Sequence, residues 1–439
     1  MAVAIAFVLI TALFASSPAG ASEKAFWGPA TLPDGSSAFR IYSQLGIDTL
    51  QVTVSWAAVA VQRPAVAADP ADPAYRWPAE VDLAGAEAAR HGIRLSLLVT
   101  GAPAWANGGR SAIWRPSRAQ DYGDFLTAAA RRYPAVRRWM IWGEPNRADR
   151  FQPNASSSET GPRAYAILLD TAYAALKRAS PHNIVIGGNT WTGGTVRPAQ
   201  FLRWMRLSSG RRPRLDWLGH NPFPFRFPDL PKPPLAGGYR DMSDIDTISR
   251  DARRIYGRLI PLWLSEYTIQ SDRGSAVFAT YVSRVMQARY LAAAFRIADD
   301  LGPAVAGLGW LGLLDEPPAP GSSNTGLMTY ALQRKPAFAA MVRAPSQRLR
   351  PTVSSAPFIS RARLRTPSGL SVTVTPRAGG PVVVQLRRGG LVRAGARLDG
   401  RAGRRVTAHL RSPTAAPGRY VVHVRAARAA TVRRAVGIR

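Results

Sequence analysis

Eight short apolar runs, each followed by an amphipathic stretch, constrain the fold of this chain more than any other feature. Each run has four to seven residues between turn or loop residues, which is typical of buried parallel strands. The runs cover residues 25–28, 49–54, 93–99, 138–142, 183–188, 215–219, 261–265 and 305–310. Apolar spacing of three to four residues predicts helices over 81–91, 118–133, 164–179, 244–257 and 277–300. Eight such units in roughly 320 residues predict an α/β fold of the (β/α)8 TIM-barrel type. A doubly wound open sheet is the alternative, but no Gly-x-Gly-x-x-Gly follows the first run.

The C-terminal part of the chain has a different pattern. Residues 370–376, 382–388 and 419–426 alternate apolar and polar side chains and are rich in valine, and Gly pairs and Pro-Gly separate them. This pattern predicts a small all-β, immunoglobulin-like sandwich. The predicted units are a signal peptide (1–21), a (β/α)8 catalytic domain (22–344), a linker rich in Pro and Ser (345–357) and a basic β-sandwich (358–439).

The N-terminus has the pattern of an export signal. Residues 2–15 are apolar apart from Thr11, which is shorter than the ~20 residues that span a bilayer. Ala19-Gly20-Ala21 fits the small-residue cleavage pattern, although no Lys or Arg precedes the apolar run. We predict a secreted or cell-surface bacterial protein, with no transmembrane span beyond this segment; retention of the segment as an anchor is the alternative.

The charge of the chain is strongly positive and unevenly distributed. The net charge is +31, and only four of the 58 basic residues are lysine. Residues 345–439 contain 20 Arg and one acid, Asp399, so they carry 20 − 1 = +19. This charge predicts binding of an anionic cell-wall polymer or acidic polysaccharide by the C-terminal domain. The arginine-rich coding bias of a GC-rich genome is the alternative, and the lack of a nucleic-acid motif disfavours nucleic acid.

Composition also limits the chemistry. The chain has no cysteine, which excludes disulfides, thiolate ligands and a cysteine nucleophile. Its five histidines have no metal-ligand spacing. We therefore expect catalysis without a metal or an organic cofactor.

Two acidic residues directly follow predicted barrel strands. The fourth run leads into Glu144 and the seventh into Glu266. In a (β/α)8 barrel the carboxyl ends of the strands form the active site, so both carboxyl groups should face one pocket. A pair of carboxyl groups can cleave a glycosidic bond, because one protonates the leaving oxygen while the other attacks the anomeric carbon.

Several short motifs extend this interpretation. They are Trp142-Gly143-Glu144-Pro145-Asn146, Trp263-Leu264-Ser265-Glu266, Tyr75-Arg76-Trp77-Pro78, Gly101-Ala102-Pro103, Gly219-His220-Asn221-Pro222 and Gly309-Trp310. With these motifs, residues 25–344 resemble clan A glycoside hydrolases, most closely the family 39-like and cellulase-like bacterial members. The resemblance implies a retaining glycosidase that acts on a poly- or oligosaccharide by double displacement, with Glu144 as acid/base and Glu266 as nucleophile.

Further residues are predicted to contact the sugar. Aromatic faces stack on sugar rings, and Trp56, Trp105 and Trp310 lie at or just after strand ends; core packing is the alternative for each. His220 and Asn221 are expected to line the pocket, although His220 could instead make a structural hydrogen bond. Asn146, Asn189 and Tyr267 complete the predicted substrate-binding set.

Three positions depart from the clan pattern. Gly143 stands where the clan usually has Asn, Gln51 where it has a supporting Arg, and Phe223 where strand six often supplies Tyr. The departures are consistent with a divergent substrate, with compensation by Asn146, Asn189 or Tyr267, or with weak activity. They are also the reason for the alternative of a catalytically inactive carbohydrate-binding or cell-surface scaffold protein.

Overall fold

The computed structural model describes residues 22–347, 358–365, 369–376, 379–401, 404–411, 418–426 and 431–438. The predicted signal peptide and most of the predicted linker lie outside these residues. Within the described ranges, no helix is both long and apolar enough to cross a membrane.

The first part of the chain alternates strands and helices. The strands are β1 (Glu23–Trp27), β2 (Thr49–Ser55), β3 (Arg94–Thr100), β4 (Arg138–Ile141), β5 (Ile184–Trp191), β6 (Trp217–Asn221), β7 (Leu262–Tyr267), β8 (Gln270–Ser271), β9 (Tyr281–Val282) and β10 (Val305–Leu311). The helices are α1 (Phe39–Leu45), α2 (Trp56–Val59), α3 (Ala79–Arg90), α4 (Ala104–Asn107), α5 (Ala119–Arg132), α6 (Thr160–Ala179), α7 (Pro198–Trp204), α8 (Ile245–Tyr256), α9 (Arg284–Asp300) and α10 (Pro336–Arg343).

Eight of these strands form a closed parallel barrel in the order β1-β10-β7-β6-β5-β4-β3-β2. Ala25, Leu98, Met140, Ile186 and Trp263 form a small apolar cluster of their own, separate from the large core shared by strands and helices. The prediction of a (β/α)8 barrel is therefore confirmed. Parallel strands require crossover connections, and the amphipathic helices supply both the crossover and the outer layer.

The strand predictions match the barrel closely, but one helix prediction was too long. The pattern over 277–300 predicted a helix from residue 277, whereas α9 begins at Arg284. The Ser283 side chain accepts a hydrogen bond from the Met286 amide at 3.3 Å and caps the helix there. The preceding residues form β9 and a loop that bounds the cavity described below.

The C-terminal strands form two antiparallel sheets, which confirms the all-β prediction. The strands are β11 (Phe358–Arg365), β12 (Gly369–Thr375), β13 (Gly380–Arg388), β14 (Leu391–Gly400), β15 (Val406–Arg411), β16 (Gly418–Ala426) and β17 (Val432–Ile438). One sheet has the order β11-β12-β15 and the other β14-β13-β16-β17. A shared core of alternating side chains, including Val372, Val384 and Val422, joins the two sheets.

Candidate active site

A cavity of about 810 Å³ opens at the carboxyl ends of the barrel strands, and both glutamates line it. Its wall is formed by Glu144, Arg147, Arg150, Trp191, Phe223, Pro224, Phe225, Glu266, Thr268, Ile269, Gln270, residues 276–280, Leu311, Gly312, Leu314, Glu316, Ser323 and Thr325. The residues come from loops after several different strands, as is usual for barrel active sites. The fold thus places the predicted acid/base and nucleophile in one cavity.

Glu144 is held by contacts on both carboxylate oxygens. Arg147 donates to Oε2 at 2.8 Å, and Asn221 donates to Oε1 at 3.2 Å. The backbone of Glu144 has φ of 48°, in the left-handed region, and its amide donates to the Asn189 carbonyl at 3.0 Å. A non-glycine residue in this region is strained, and such strain concentrates at functional sites. The surrounding hydrogen bonds therefore fix both the backbone and the carboxylate of Glu144.

Glu266 has a contrasting environment. Among the described residues its carboxylate has no hydrogen-bond partner, although it faces the cavity. Burial raises the pKa of Glu266 to about 8, and the neighbouring Glu144 carboxylate adds to the rise, while Arg150 and Arg147 oppose it. The protonated form of Glu266 is therefore favoured at neutral pH.

The residue before Glu266 is anchored from three directions. The Ser265 carbonyl accepts from Trp27 Nε1 and from Gln51 Nε2, each at 2.8 Å. Its hydroxyl donates to Asn221 Oδ1 at 2.5 Å. Asn221 therefore bridges the strand end that carries Glu266 and the carboxylate of Glu144, but it is buried and does not line the cavity.

Gln51 supports β7, the strand that contains Glu266, through hydrogen bonds to two other residues of that strand. Its Oε1 accepts from Trp263 Nε1 at 2.9 Å, while its Nε2 binds the Ser265 carbonyl. A Cβ at Gly309 would lie 2.4 Å from Gln51 Nε2 and 2.2 Å from the Ser265 carbonyl oxygen. Only glycine at position 309 leaves room for this contact. The residue in place of the clan arginine thus supports the strand through neutral hydrogen bonds.

The residues at the other two departures from the clan pattern, Gly143 and Phe223, also pack closely against their neighbours. A Cβ at Gly143 would lie 3.3 Å from Leu98 Cδ2, so an asparagine at 143 would need Leu98 to move. Phe223 lines the cavity and stacks on Phe278, with ring centroids 5.5 Å apart. Position 223 therefore contributes an apolar wall in place of a tyrosine hydroxyl.

Several residues predicted to bind sugar lie outside the cavity wall. Trp56 is buried and packs on Trp105, Tyr122 and Phe125. Trp105 donates to the Ala60 carbonyl at 2.8 Å, with the Arg63 guanidinium 4.8 Å from its ring. Both tryptophans sit in the helix layer around α2, α4 and α5, where each packs against aromatic neighbours instead of an open surface.

Trp310 of β10, the eighth strand of the barrel in chain order, also lies outside the cavity wall. Trp310 is fully buried, donates to the Thr325 carbonyl at 3.2 Å and packs against Tyr267, which is also fully buried. The next two residues, Leu311 and Gly312, line the cavity instead. The structure therefore places Trp310 and Tyr267 beneath the cavity wall.

The remaining predicted residues make structural hydrogen bonds. Asn146 Nδ2 donates to three carbonyls, including that of Trp191 at 3.1 Å. Asn189 Nδ2 donates to the Trp142 carbonyl at 2.9 Å. His220 contacts Thr190 Oγ1 and the Arg240 carbonyl, each at 2.9 Å, and burial lowers its pKa to about 4. These side chains shape the loops around the glutamates without lining the cavity.

Sequence reasoning missed most of the cavity wall, and four of the missed residues show which signals were available. Trp191 follows the pattern used for the other tryptophans, since it ends β5, and could have been found by that signal. Arg147 lies three residues after Glu144, a spacing that also points to contact. Arg150 and Phe278 lie in loops, and no local pattern indicates that they reach the cavity.

The cavity wall combines charged and aromatic side chains. Arg147 pairs with both Glu144 and Asp149, and its guanidinium lies 5.1 Å from the Trp191 ring centroid. Trp191, Phe225 and Phe278 add flat apolar surface to the same cavity. Within the described residues, no group of three or more acidic or histidine side chains could hold a metal ion. The arrangement suits a ligand that is polar at the edge of each ring and apolar on its faces.

The fold is a closed (β/α)8 barrel with two glutamates in one cavity, and comparison with solved structures gives the same fold. A family 39 glycoside hydrolase from Bacteroides cellulosilyticus WH2 has a TM-score of 0.55 and 15% identity, over 90% of this chain and 81% of that chain. A monomeric beta-xylosidase from Caulobacter crescentus CB15 has a TM-score of 0.53 and 14% identity, over 90% and 96%. A family 39 enzyme from Xanthomonas axonopodis pv. citri has a TM-score of 0.52 and 14% identity, over 89% of this chain and 91% of that chain.

These likenesses confirm the resemblance to clan A at the level of the fold. No protein-family profile matches this chain. No curated protein sequence matches it either. Function must therefore be argued from the site itself.

Proposed function

We propose that this protein is a retaining glycoside hydrolase that acts on a poly- or oligosaccharide by double displacement. The single observation that carries this proposal is the pair Glu144 and Glu266. One follows β4 and the other lies near the end of β7, both line one cavity, and the charge of Glu144 helps to raise the pKa of Glu266. A monoprotonated carboxyl pair is the state that a retaining glycosidase needs, since one group acts as acid while the other attacks.

The reaction would proceed in two steps. The Glu266 carboxylate attacks the anomeric carbon, the glycosidic C–O bond breaks, and the Glu144 proton goes to the departing oxygen. Water then attacks the glycosyl-enzyme, Glu144 takes the proton from the water, and the bond to Glu266 breaks. Arg147 forms an ion pair with the Glu144 carboxylate at 2.8 Å in the free protein. Glu144 must carry a proton in the first step, so substrate binding must weaken this ion pair.

Two substitutions with different expected outcomes test this assignment. Glu266→Gln keeps the shape but removes the nucleophile, so turnover of every glycoside should fall by several orders of magnitude. Glu144→Ala removes only the acid, so an aryl glycoside with a good leaving group should retain a faster first step than a natural glycoside. Azide should accelerate the second step in Glu144→Ala alone, because an anion attacks without help from a general base. The measurement is turnover of aryl glycosides with graded leaving groups.

The contrast between the variants also separates the alternatives. Turnover that neither substitution reduces would show that Glu144 and Glu266 are not the catalytic residues. Sugar binding by calorimetry with no turnover by any variant would support the inactive scaffold that Gly143 suggests.

The cellular context is proposed from the sequence alone. We propose that the protein is exported by residues 1–21 and that the basic C-terminal domain binds anionic cell-wall polymer or acidic polysaccharide. Retention on cell walls at low and high salt, with and without residues 345–439, measures this binding. Equal retention of both forms would leave coding bias as the explanation of the charge.

A further inference from the structure

A second cavity, of about 450 Å³, lies between the barrel and the C-terminal sheets. The barrel side is formed by α8 and the segment after α9, and the other side by β13, β16 and β17. The two walls reach across to each other. An added Cβ at Gly390 would lie 3.5 Å from Arg250 Cγ, and one at Gly302 would lie 3.5 Å from Arg425 Cδ. The cleft is therefore a composite of both domains.

Five arginines line this cleft against two acids. Arg250 and Arg253 come from α8, and Arg387, Arg425 and Arg433 come from the C-terminal sheet. The two acids are occupied by other contacts. Asp246 accepts from the Val392 amide at 2.6 Å, and Asp300 accepts from Arg397 at 2.8 Å.

Only part of this positive charge has a nearby counter-ion. Asp251 lies 3.5 Å from Arg250, and Asp299 lies 3.5 Å from Arg425. No carboxylate among the described residues lies within 4.0 Å of the guanidinium groups of the other three arginines. These three are Arg253, Arg387 and Arg433. The cleft therefore concentrates positive charge beyond what the protein itself neutralises.

Arg387 is partly buried but, among the described residues, has only a neutral hydrogen-bond acceptor beside its guanidinium. Its Nε donates to Gln385 Oε1 at 3.0 Å. Burial lowers the pKa of Arg387; Asp246 opposes this, and Arg433 and Arg425 add to it. Burial also lowers the pKa of His423 to about 4, so the histidine adds no charge at neutral pH. Clustered guanidinium groups are costly to desolvate unless a ligand supplies negative charge.

We propose that this interdomain cleft binds a small polyvalent oxyanion, either clustered phosphate groups or the carboxylates of a short acidic saccharide. Guanidinium groups bind phosphate and carboxylate through paired N–H donors, so both ligands present the same chemistry to this site. The volume of the cleft lies within the range of about 300–1,000 Å³ that small-ligand sites occupy. The site is separate from the cavity with the glutamates, and its occupancy is independent of glycosidase activity.

Calorimetric titration of the full-length protein with pyrophosphate and with trigalacturonate tests this proposal. Removing one guanidinium from an oxyanion contact should weaken binding by about tenfold or more. We therefore expect Arg387→Gln to bind each ligand at least tenfold more weakly, and likewise the double variant Arg253→Gln/Arg433→Gln. The control pair is Arg405→Gln/Arg411→Gln, which removes the same charge at two exposed positions at the ends of β15. This control should bind as the unaltered protein does.

Saturable binding that depends on the cleft arginines supports the site. Tighter binding of pyrophosphate would identify phosphate groups as its ligand, and tighter binding of trigalacturonate would identify the carboxylates of an acidic saccharide. Equal weakening by the cleft pair and the control pair would overturn the proposal, because diffuse charge would then explain binding. Absence of binding by the unaltered protein at low salt would also overturn it. Thermal unfolding checks each variant; if Arg387→Gln fails to fold, the exposed Arg433→Gln carries the same test. Glycoside turnover by these variants reports on the other cavity alone.

Discussion

At the scale of single residues, Glu144 and Glu266 differ in what surrounds them. Glu144 is bound by Arg147 and Asn221, whereas the Glu266 carboxylate has no hydrogen-bond partner within the part of the chain that the structure describes. Burial and the neighbouring Glu144 raise the pKa of Glu266 to about 8. This asymmetry arises from local structure, because the Glu144 loop carries its own arginine three residues later. Burial and the charge of Glu144 therefore favour the protonated form of Glu266 up to about pH 8.

The first residue-scale prediction concerns the pH profile. The proposed reaction needs one proton on the pair, so kcat/KM should fall above about pH 8 in the unaltered protein. Removing the Glu144 charge lowers the pKa of Glu266, because a neighbouring anion is lost. In Glu144→Gln, turnover of an aryl glycoside with a good leaving group should instead rise with pH to a plateau.

Glu316→Gln is the matched control for that profile. Glu316 also lines the cavity, but its carboxylate accepts from the Ser323 amide at 2.7 Å. Its removal should leave the alkaline limb near pH 8. An alkaline limb that persists in Glu144→Gln would show that another group controls it.

The second residue-scale prediction needs no substrate. The pKa of Glu266 in the folded protein lies above the ordinary value of 4.5, so the folded state favours the protonated form. The corresponding stability is fully present below pH 4.5 and is lost as the pH rises towards 8. Glu266→Gln cannot ionise, so its melting temperature should equal that of the unaltered protein in acid and exceed it progressively up to pH 8. Parallel melting curves across that range would contradict the burial of an ionisable Glu266.

At the scale of elements, the loop between β8 and β9 decides the shape of the cavity. Residues 276–280 line it, and Phe278 stacks on Phe223 from the loop after β6. Lys335 ties this region to the loop after β10. Its Nζ donates to Ser271 Oγ at 3.0 Å, to Asp315 Oδ1 at 2.6 Å and to the Asn324 carbonyl at 3.2 Å.

The element-scale prediction concerns the loss of the Lys335 hydrogen bonds. Lys335 is fully buried, so Lys335→Met leaves the Asp315 carboxylate buried without its cation. The free energy of unfolding should fall by about 3–5 kcal/mol, measured by urea denaturation. The double variant Lys335→Met/Asp315→Leu should recover part of that loss, because no unpaired charge remains. A single variant as stable as the unaltered protein would show that the tie is not needed.

At the scale of the whole molecule, the C-terminal domain is anchored to the barrel by a specific interface. Val392 of β14 belongs to the barrel core and is 3% exposed, and its amide donates to Asp246 of α8. Arg397 of β14 pairs with Asp300 at 2.8 Å and Asp299 at 3.4 Å. The barrel and the C-terminal domain should therefore unfold together.

The whole-molecule prediction tests that coupling. Val392→Asp places a second carboxylate beside Asp246 inside the interface, where an unpaired charge is strongly destabilising. Calorimetry should change from one unfolding transition to two, with the earlier one belonging to the C-terminal domain. Thr407→Asp adds the same charge at an exposed position of β15 and should keep one transition. Two transitions in the unaltered protein would contradict a stabilising interface.

The sequence alone determined the barrel and the two glutamates. Each of the eight strands is a local apolar run, and a run of that length is buried in any parallel sheet, so local patterning suffices. Glu144 and Glu266 follow such runs directly, and the barrel topology requires strand ends to share one face. Both facts depend only on neighbours in the chain, which is why they could be predicted without the structure.

Only the tertiary structure decided which side chains face the cavity. Trp56 and Trp310 stand at strand ends as Trp191 does, yet the first two are buried in packed layers and only Trp191 lines the cavity. Phe278 and Arg150 reach it from loops whose paths no local pattern specifies. A side chain at a strand end can point into the core or into the opening, and the choice depends on the volume left by residues far away in sequence. The position of β14 against α8 was equally unpredictable, because it depends on long-range contacts such as that between Val392 and Asp246.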